Sequence, residues 1–444
     1  MPLRSIFVVI LMVIGVYYAL QAPFYALLVY LAYAYFRPEY WLWINVVPPN
    51  FSFITAAYVV LFSLLSGQRF VMNNRIALIF AFLVHSFIST LLSNYFTYGW
   101  VYWMDFFKST IMTYFIIILV TDFTKFRLVL LIMALFIGVE GAKQGWVYLL
   151  TAPGSAVNLN GQAILGDNNG TALGMLMLVP VIALLAQTTQ HRWSRYGFWF
   201  LLIGVLYRSL STHSRGGFLA CMALGGTYLL RSRQRWRVLL GIAVVVALVL
   251  PALPEKFWDR MHTIQTYDDE ETKDSSIQGR LHFWSVAVDM ANAHPLLGIG
   301  YNCYNAAYNT YDFSQGKYRQ NRAVHSSYFG VLAELGYVGA TLYGLIILSA
   351  LQSCRRVHKL AGKHPTLLAL SQSATALETS FVVFLVGGAF LSYQYKELVW
   401  HFIVFTIVLE EIAKRYVLAA EGAEGELADV AVIGAAVSTM DERA

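Results

Sequence analysis

Apolar stretches of about 15–25 residues recur along almost the whole chain, and they leave few folds open. In lipid every backbone N–H and C=O must be satisfied within the protein, so only helices or closed barrels cross a membrane. The stretches are continuous rather than alternating, which selects helices. Spans are predicted near 5–36 (kinked or broken near Pro23), 52–66, 76–93, 101–120, 128–150, 170–187, 196–212, 216–230, 237–252, 326–353, 376–394 and 397–413. The total is about twelve, and the first run is long enough to be two segments. Composition agrees: 58% of residues are hydrophobic and 13% charged, against about 25% charged in soluble domains. The expectation is an all-α polytopic membrane protein. A helical bundle fills 1–253, a long polar loop with an amphipathic helix follows over 254–325, and further spanning helices occupy 326–418. The tail, 419–444, is rich in Ala, Gly and Glu and is expected to be disordered. The first run lacks an Ala-x-Ala-like end, so it reads as a retained span rather than a cleaved signal.

Short loops set the orientation. Arg69 with Arg75, Lys125 with Arg127, Arg192 with Arg195, the run Arg231 to Arg237, Arg355 to Lys363, and Lys414 with Arg415 all fall on one side of these spans. The positive-inside rule makes that side cytoplasmic. The formal charge of +6 therefore needs no nucleic acid partner. The opposite, outer face receives Asp167, His213, Arg215 and the whole 254–325 loop. A hairpin within the first segment would move the N-terminus outside and leave the later helices in place.

Ionisable groups gather on that outer face. Arg215 follows His213 and Ser214, precedes Gly216-Gly217 and opens a helix. Free N–H groups at a helix start favour anions, and the planar guanidinium suits phosphate. The plainer alternative is an arginine reaching up to lipid headgroups. Arg280 begins a segment with apolar Leu281, Trp284, Val288, Met290 and Ala291, spacing that resembles an interfacial helix, and its charge could serve only to hold that helix at the surface. Arg322 and His325 lie three apart before the next span and would share a face if that helix began early. His325 is the acid/base candidate, since an ordinary imidazole titrates near neutrality. Asp167, before Asn168-Asn169, could orient an arginine or receive a sugar hydroxyl, and equally could cap a helix. Asp105 with Lys108, and Glu140 with Lys143, are spaced as neutralising pairs within spans. Lys143 is also within about two turns of the outer end, near enough to reach a phosphate.

Several chemistries are absent from the sequence. There is no Walker loop, His-Glu-x-x-His or Gly-x-Ser-x-Gly, and no Asp-x-Asp on the outer face. The run Asp268 to Glu271 reads as a solvated acidic face. No cofactor or metal is expected, because arginine and lysine can neutralise a pyrophosphate. Cys221, Cys303 and Cys354 fall in different places, and no structural disulfide is expected.

The succession Ser211-Thr212-His213-Ser214-Arg215-Gly216-Gly217, Gly279-Arg280 with Trp284, His294-Pro295-Leu296-Leu297-Gly298-Ile299-Gly300, and His325-Ser326-Ser327-Tyr328 with Glu334-Leu335-Gly336 and Gly339 resembles the O-antigen ligase and polymerase superfamily. The similarity is greatest to its ligase branch, to which Lys143 with Gly145 and Asp167-Asn168-Asn169 also conform. The resemblance covers roughly 140–345; Gly217, often Ala in related sequences, and Tyr328 depart from the pattern. It implies a GT-C-like fold in the bacterial inner membrane, with the long loop and active site facing the periplasm. It implies an inverting, metal-independent transfer of a glycan from undecaprenyl pyrophosphate to the lipid A core. Mapped by motif, Arg215 and Arg280 would bind pyrophosphate with Arg322 and Lys143 assisting. His325 would stand at the reaction centre, supported by Asp167 and His213. A polymerase or a protein O-glycosylating ligase would share the donor and these motifs. A lipid-linked sugar transporter would instead show repeated halves or cations through the membrane depth.

Overall fold

The computed structural model describes residues 3–40, 42, 46–48, 50–153, 155, 164–232, 234–237, 239–241, 243, 277–362 and 367–441; for 277 and 420–441 only the course of the backbone is described. The helices are α1 (Leu3–Ala19), α2 (Pro23–Phe36), α3 (Phe51–Leu65), α4 (Asn74–Leu91), α5 (Phe96–Leu119), α6 (Phe123–Thr151), α7 (Asn168–Thr188), α8 (Arg192–Leu210), α9 (Arg215–Arg231), α10 (Ile277–Ala293), α11 (Tyr304–Tyr311), α12 (Ser327–Ala361), α13 (Leu368–Gly388) and α14 (Glu397–Asp441). No strand occurs among the described residues. By length and composition α4, α7, α12 and α13 can each cross a membrane, and α1 and α3 are apolar but shorter. The described residues are thus helical and loop only, with four helices able to span, consistent with a membrane protein. The acidic run 268–271 and most of the 237–252 span lie outside the described residues.

Sequence pattern explains the layers. α7 is apolar on every side and buried along nearly its whole length, as a helix without a polar face must be. Small residues let its neighbours close in. A Cβ on Gly145 of α6 would lie 2.0 Å from the Gly204 carbonyl of α8, and one on Gly217 of α9 would lie 2.7 Å from Ala172 of α7.

The first apolar run is a hairpin. Pro23 opens α2 after the extended Ala22; proline lacks an N–H and cannot continue the helix before it. A Cβ on Gly15 would meet Val29 at 3.2 Å, so α1 and α2 pack side by side in opposite directions. The N-terminus therefore lies at the same end of the bundle as Arg37. At the other end of the chain α14 continues to Asp441, through the stretch expected to be disordered; Ala, Leu and Glu are strong helix formers.

The basic loops meet at one end, as their common side requires. Buried Glu410 of α14 pairs with Arg75, with Arg356 at 3.4 Å and with Lys414 at 3.2 Å. Arg231 reaches Glu378 at 2.7 Å, and Arg415 donates to the Thr121 carbonyl at 3.1 Å.

At the opposite end, the 294–300 motif is a latch. Helix α12 breaks at Gly336, where φ is +66. The 294–300 segment supplies partners for the opened backbone: Ile299 N donates to Ala333 O at 3.1 Å, Gly300 N to Glu334 O at 3.0 Å, and Tyr337 N to Pro295 O at 2.8 Å. His85 of α4 bonds the Leu335 carbonyl at 2.9 Å, a structural role. Gly298 takes φ +67, and a Cβ there would sit 2.4 Å from the Glu334 carbonyl carbon. Gly298→Ala adds the left-handed penalty of about 1–2 kcal/mol to an overpacking cost of about 1–3 kcal/mol. Its unfolding temperature in detergent is expected to fall well below that of Gly226→Ala, where nothing lies within 4 Å; equal temperatures would contradict the latch.

Candidate functional site

The site forms where α9, α10 and the start of α12 meet the turn between α13 and α14. Ser214 caps α9, accepting from Gly217 N at 3.1 Å, which fixes Arg215 in the first turn. A neighbouring helix and turn use the close approach that Gly216 and Gly217 permit: Ala172 faces Gly217, and Leu391 lies 3.0 Å from a Cβ built on Gly216. His213, just before the cap, holds a left-handed backbone with φ +54. That conformation is uncommon outside glycine, and histidine tolerates it better than most.

Arg280 approaches from α10. Its guanidinium lies over the Phe390 ring at 5.8 Å. Trp284, one turn on, stacks on Phe329 at 5.1 Å and 14° and also meets Phe390 at 6.3 Å. The Phe390 ring thus braces both residues of the Arg280–Trp284 motif. The helix differs from the expected interfacial one. Leu281 is exposed, and the buried stripe is Phe283, Val286, Ala287 and Met290. This stripe packs on Tyr304, Tyr308, Val324 and Ala333 to form a small protein core. The correction follows from the aromatic and apolar partners that α11 and α12 offer, which lipid would otherwise have to replace.

His325 is half-buried, with φ +50. Helix α12 begins at Ser327, so the early start that would put Arg322 and His325 on one helical face does not occur. Ser326 caps α12 instead. Ser327 accepts from Tyr393 N at 2.9 Å and donates to Leu391 O at 2.7 Å. The His-Ser-Ser motif therefore ties the imidazole's segment to the turn that braces Arg280. The Phe283 ring lies 6.4 Å from the His325 ring.

Electrostatics link these side chains. Burial first, then the Arg280 charge, holds the His325 pKa below its ordinary value of 6.5; Arg322 adds to this and Asp167 opposes it. Burial and then the Arg215 charge lower the pKa of Arg280 in turn. His325 thus lies within electrostatic reach of Arg280, Arg322 and Asp167, and Arg280 within reach of Arg215. Arg322 also donates from Nε to the Tyr318 carbonyl at 2.5 Å. Asp167 does cap α7, accepting from Gly170 N at 2.8 Å, so its capping role and its field at His325 coexist. Lys143 pairs with Glu140 at 3.3 Å and lines a groove of about 660 Å³ between α6 and α8, with Trp146 and Phe200. Asp105 and Lys108 pair at 3.2 Å. The three cysteines are free. Among the described residues no group of three or more His, Cys, Asp or Glu side chains is arranged to hold a metal.

Residues 196–344 match the family model described as O-antigen ligase. Over this segment, about a third of the chain, the sequence is similar to the O-antigen ligase family. The match takes in His213, Arg215, Arg280, Arg322 and His325, with the 294–300 latch and the kink at Gly336; it leaves Lys143 and Asp167 outside. No curated protein matches the chain. Phe390, which braces Arg280 and Trp284, also lies beyond the O-antigen ligase match and carries no sequence signal, because an isolated aromatic in an apolar run reads as core. Gln394, Lys396 and Glu397, on the turn that follows, line a polar cavity with Arg37 and Asp105. Only tertiary contact brings them together.

Proposed function

We propose that this protein transfers a glycan from undecaprenyl pyrophosphate to the lipid A core oligosaccharide in lipopolysaccharide biosynthesis. The work is done at the periplasmic face of the inner membrane, by an inverting route that needs no metal. In this reading the remaining long helices also span the membrane, about twelve in all in a GT-C-like arrangement, and the basic end of the bundle faces the cytoplasm. The observation that carries the proposal is that Arg280 and Arg322 act on His325 while Arg215 acts on Arg280, with Arg280 laid on Phe390 and the His325 segment tied to the same turn. Like charges drawn together in a partly buried place repel one another. A multivalent anion relieves that repulsion, and the field favours its binding.

The acceptor hydroxyl attacks the anomeric carbon from the face opposite the pyrophosphate. Its oxygen bonds to that carbon as the bond from the carbon to the phosphate oxygen breaks. Pyrophosphate leaves with the electron pair, and Arg215 and Arg280 stabilise the charge that develops on it. Arg322 is the second cation beside the imidazole, and Lys143 meets the lipid-linked phosphate at the groove. His325 takes the hydroxyl proton. A depressed pKa keeps it neutral and able to accept at ordinary pH. Asp167 then offsets the imidazolium charge, and His213 shapes the loop that presents Arg215. The lipid tail lies between helices.

A polymerase or protein O-glycosylating ligase would use the same donor site with another acceptor. A transporter fits less well, because Arg75, Arg231, Arg356 and Lys414 at the far end are matched by Glu378 and Glu410 and do not extend the cationic cluster. Purified protein given undecaprenyl-pyrophosphate glycan and separate candidate acceptors should form product with lipid A core alone; product only with another glycan unit or with protein would move it to an alternative. Full activity in a chelator is expected. Loss restored by a divalent cation would refute the metal-free route.

A further inference from the structure

Beside the arginine cluster lies a second, chemically different cavity of about 370 Å³, within the range of about 300–1,000 Å³ usual for small-ligand sites. Arg37, Asp105, Lys396 and Glu397 line it, so it carries both signs of charge. That balance disfavours a pyrophosphate and suits a neutral polyol, whose hydroxyls donate to carboxylates and accept from cations and amides. One wall is aromatic. The Tyr301 ring packs between Tyr395 at 4.1 Å and 33° and Phe106 at 5.1 Å and 25°, which stiffens the wall, while Tyr102, 43% exposed, offers open ring surface to the apolar C–H side of a sugar ring.

Two polar atoms of lining residues, Gln394 Oε1 and Arg37 Nε, are buried with no hydrogen-bond partner. Gln394 is only 4% exposed. Buried groups of this kind are normally paired, and an unpaired one costs about 1–3 kcal/mol. Behind Glu397, His401 Nε2 lies 3.5 Å from its Oε1 without a hydrogen bond, and His401 Nδ1 is bonded to Tyr35 OH at 2.8 Å. The cavity also adjoins the first site. Ile164 is in its wall, a Cβ on Gly166 would lie 2.8 Å from Lys396 Nζ, and Asp167, the next residue, acts on His325.

We propose that this cavity is the subsite for the acceptor sugar, recognising a neutral pyranose through Asp105, Glu397, Gln394 and the exposed Tyr102 ring. The proposal rests on the transferase reading and names the second substrate's place in it. The test is direct binding of a phosphate-free, deacylated lipid A core oligosaccharide to the full-length protein in nanodiscs, by titration calorimetry. The unaltered protein should bind it saturably. Asp105→Asn and Glu397→Gln should each weaken binding about tenfold or more, while Arg280→Ala leaves it unchanged. The Asp105 side chain is 74% exposed, so its variant should keep the parent unfolding temperature. No saturable binding by the unaltered protein, full affinity in both cavity variants, or equal loss in Arg280→Ala would each overturn the proposal. If the cavity variants lose the sugar while Arg280→Ala still transfers glycan, the acceptor subsite stands and the pyrophosphate assignment falls.

Discussion

Arg280→Ala is expected to lower single-turnover glycan transfer about 10²–10³-fold, the usual cost of removing one donor aimed at developing charge. The guanidinium lies on Phe390, beside Arg215 and within reach of His325. It contributes nothing to the buried stripe of α10, which is Phe283, Val286, Ala287 and Met290. The variant should therefore insert and unfold like the parent while transfer collapses. Arg280→Lys should recover only part of the loss, because an ammonium restores charge without the planar two-pronged donor. Equal recovery by lysine would show that charge alone matters. Normal transfer by Arg280→Ala would remove Arg280 from the site.

The second large effect is at His325. Losing a general base costs about 10²–10⁴-fold. His325→Asn is the informative variant, since asparagine tolerates the left-handed backbone that His325 adopts at φ +50 yet cannot take the proton. Its transfer rate should fall with the unfolding temperature held. The pH profile has a definite sign. Because burial and Arg280 depress the His325 pKa, the neutral imidazole persists below 6.5, and activity should fall only at more acidic pH. Arg322→Gln removes a charge that also depresses it, so the acid limb should move to higher pH. A shift to lower pH, or none, would contradict that placement of Arg322.

Much of this was legible because it depended on local pattern. Continuous apolar runs gave the helices, and the basic loops did converge at one end through Glu410 and Glu378. Asp167 before α7 reads as a cap and is one; that Arg215 opens a helix was also legible, and Ser214 caps it. Other features were set by distant partners and left no local trace. The buried face of α10 is turned toward Tyr304, Tyr308 and Ala333, and nothing within residues 280–293 announces them. The 294–300 motif could be quoted as a resemblance, but its purpose requires the break at Gly336, some forty residues on. His213 and His325 take left-handed backbones, which no residue pattern predicts. Arg37, Asp105 and Glu397 share a cavity though they come from three separate parts of the chain. Spacing arguments reach along one helix and no further.

The central claim is that arginines from α9 and α10 grip a diphosphate. Its most direct test is the affinity of purified, nanodisc-embedded protein for undecaprenyl pyrophosphate, measured with no acceptor present. The unaltered protein should bind it saturably, and Arg215→Ala combined with Arg280→Ala should weaken binding about 100-fold or more, as loss of two charge-assisted contacts implies. Unchanged affinity in the double variant would contradict the account.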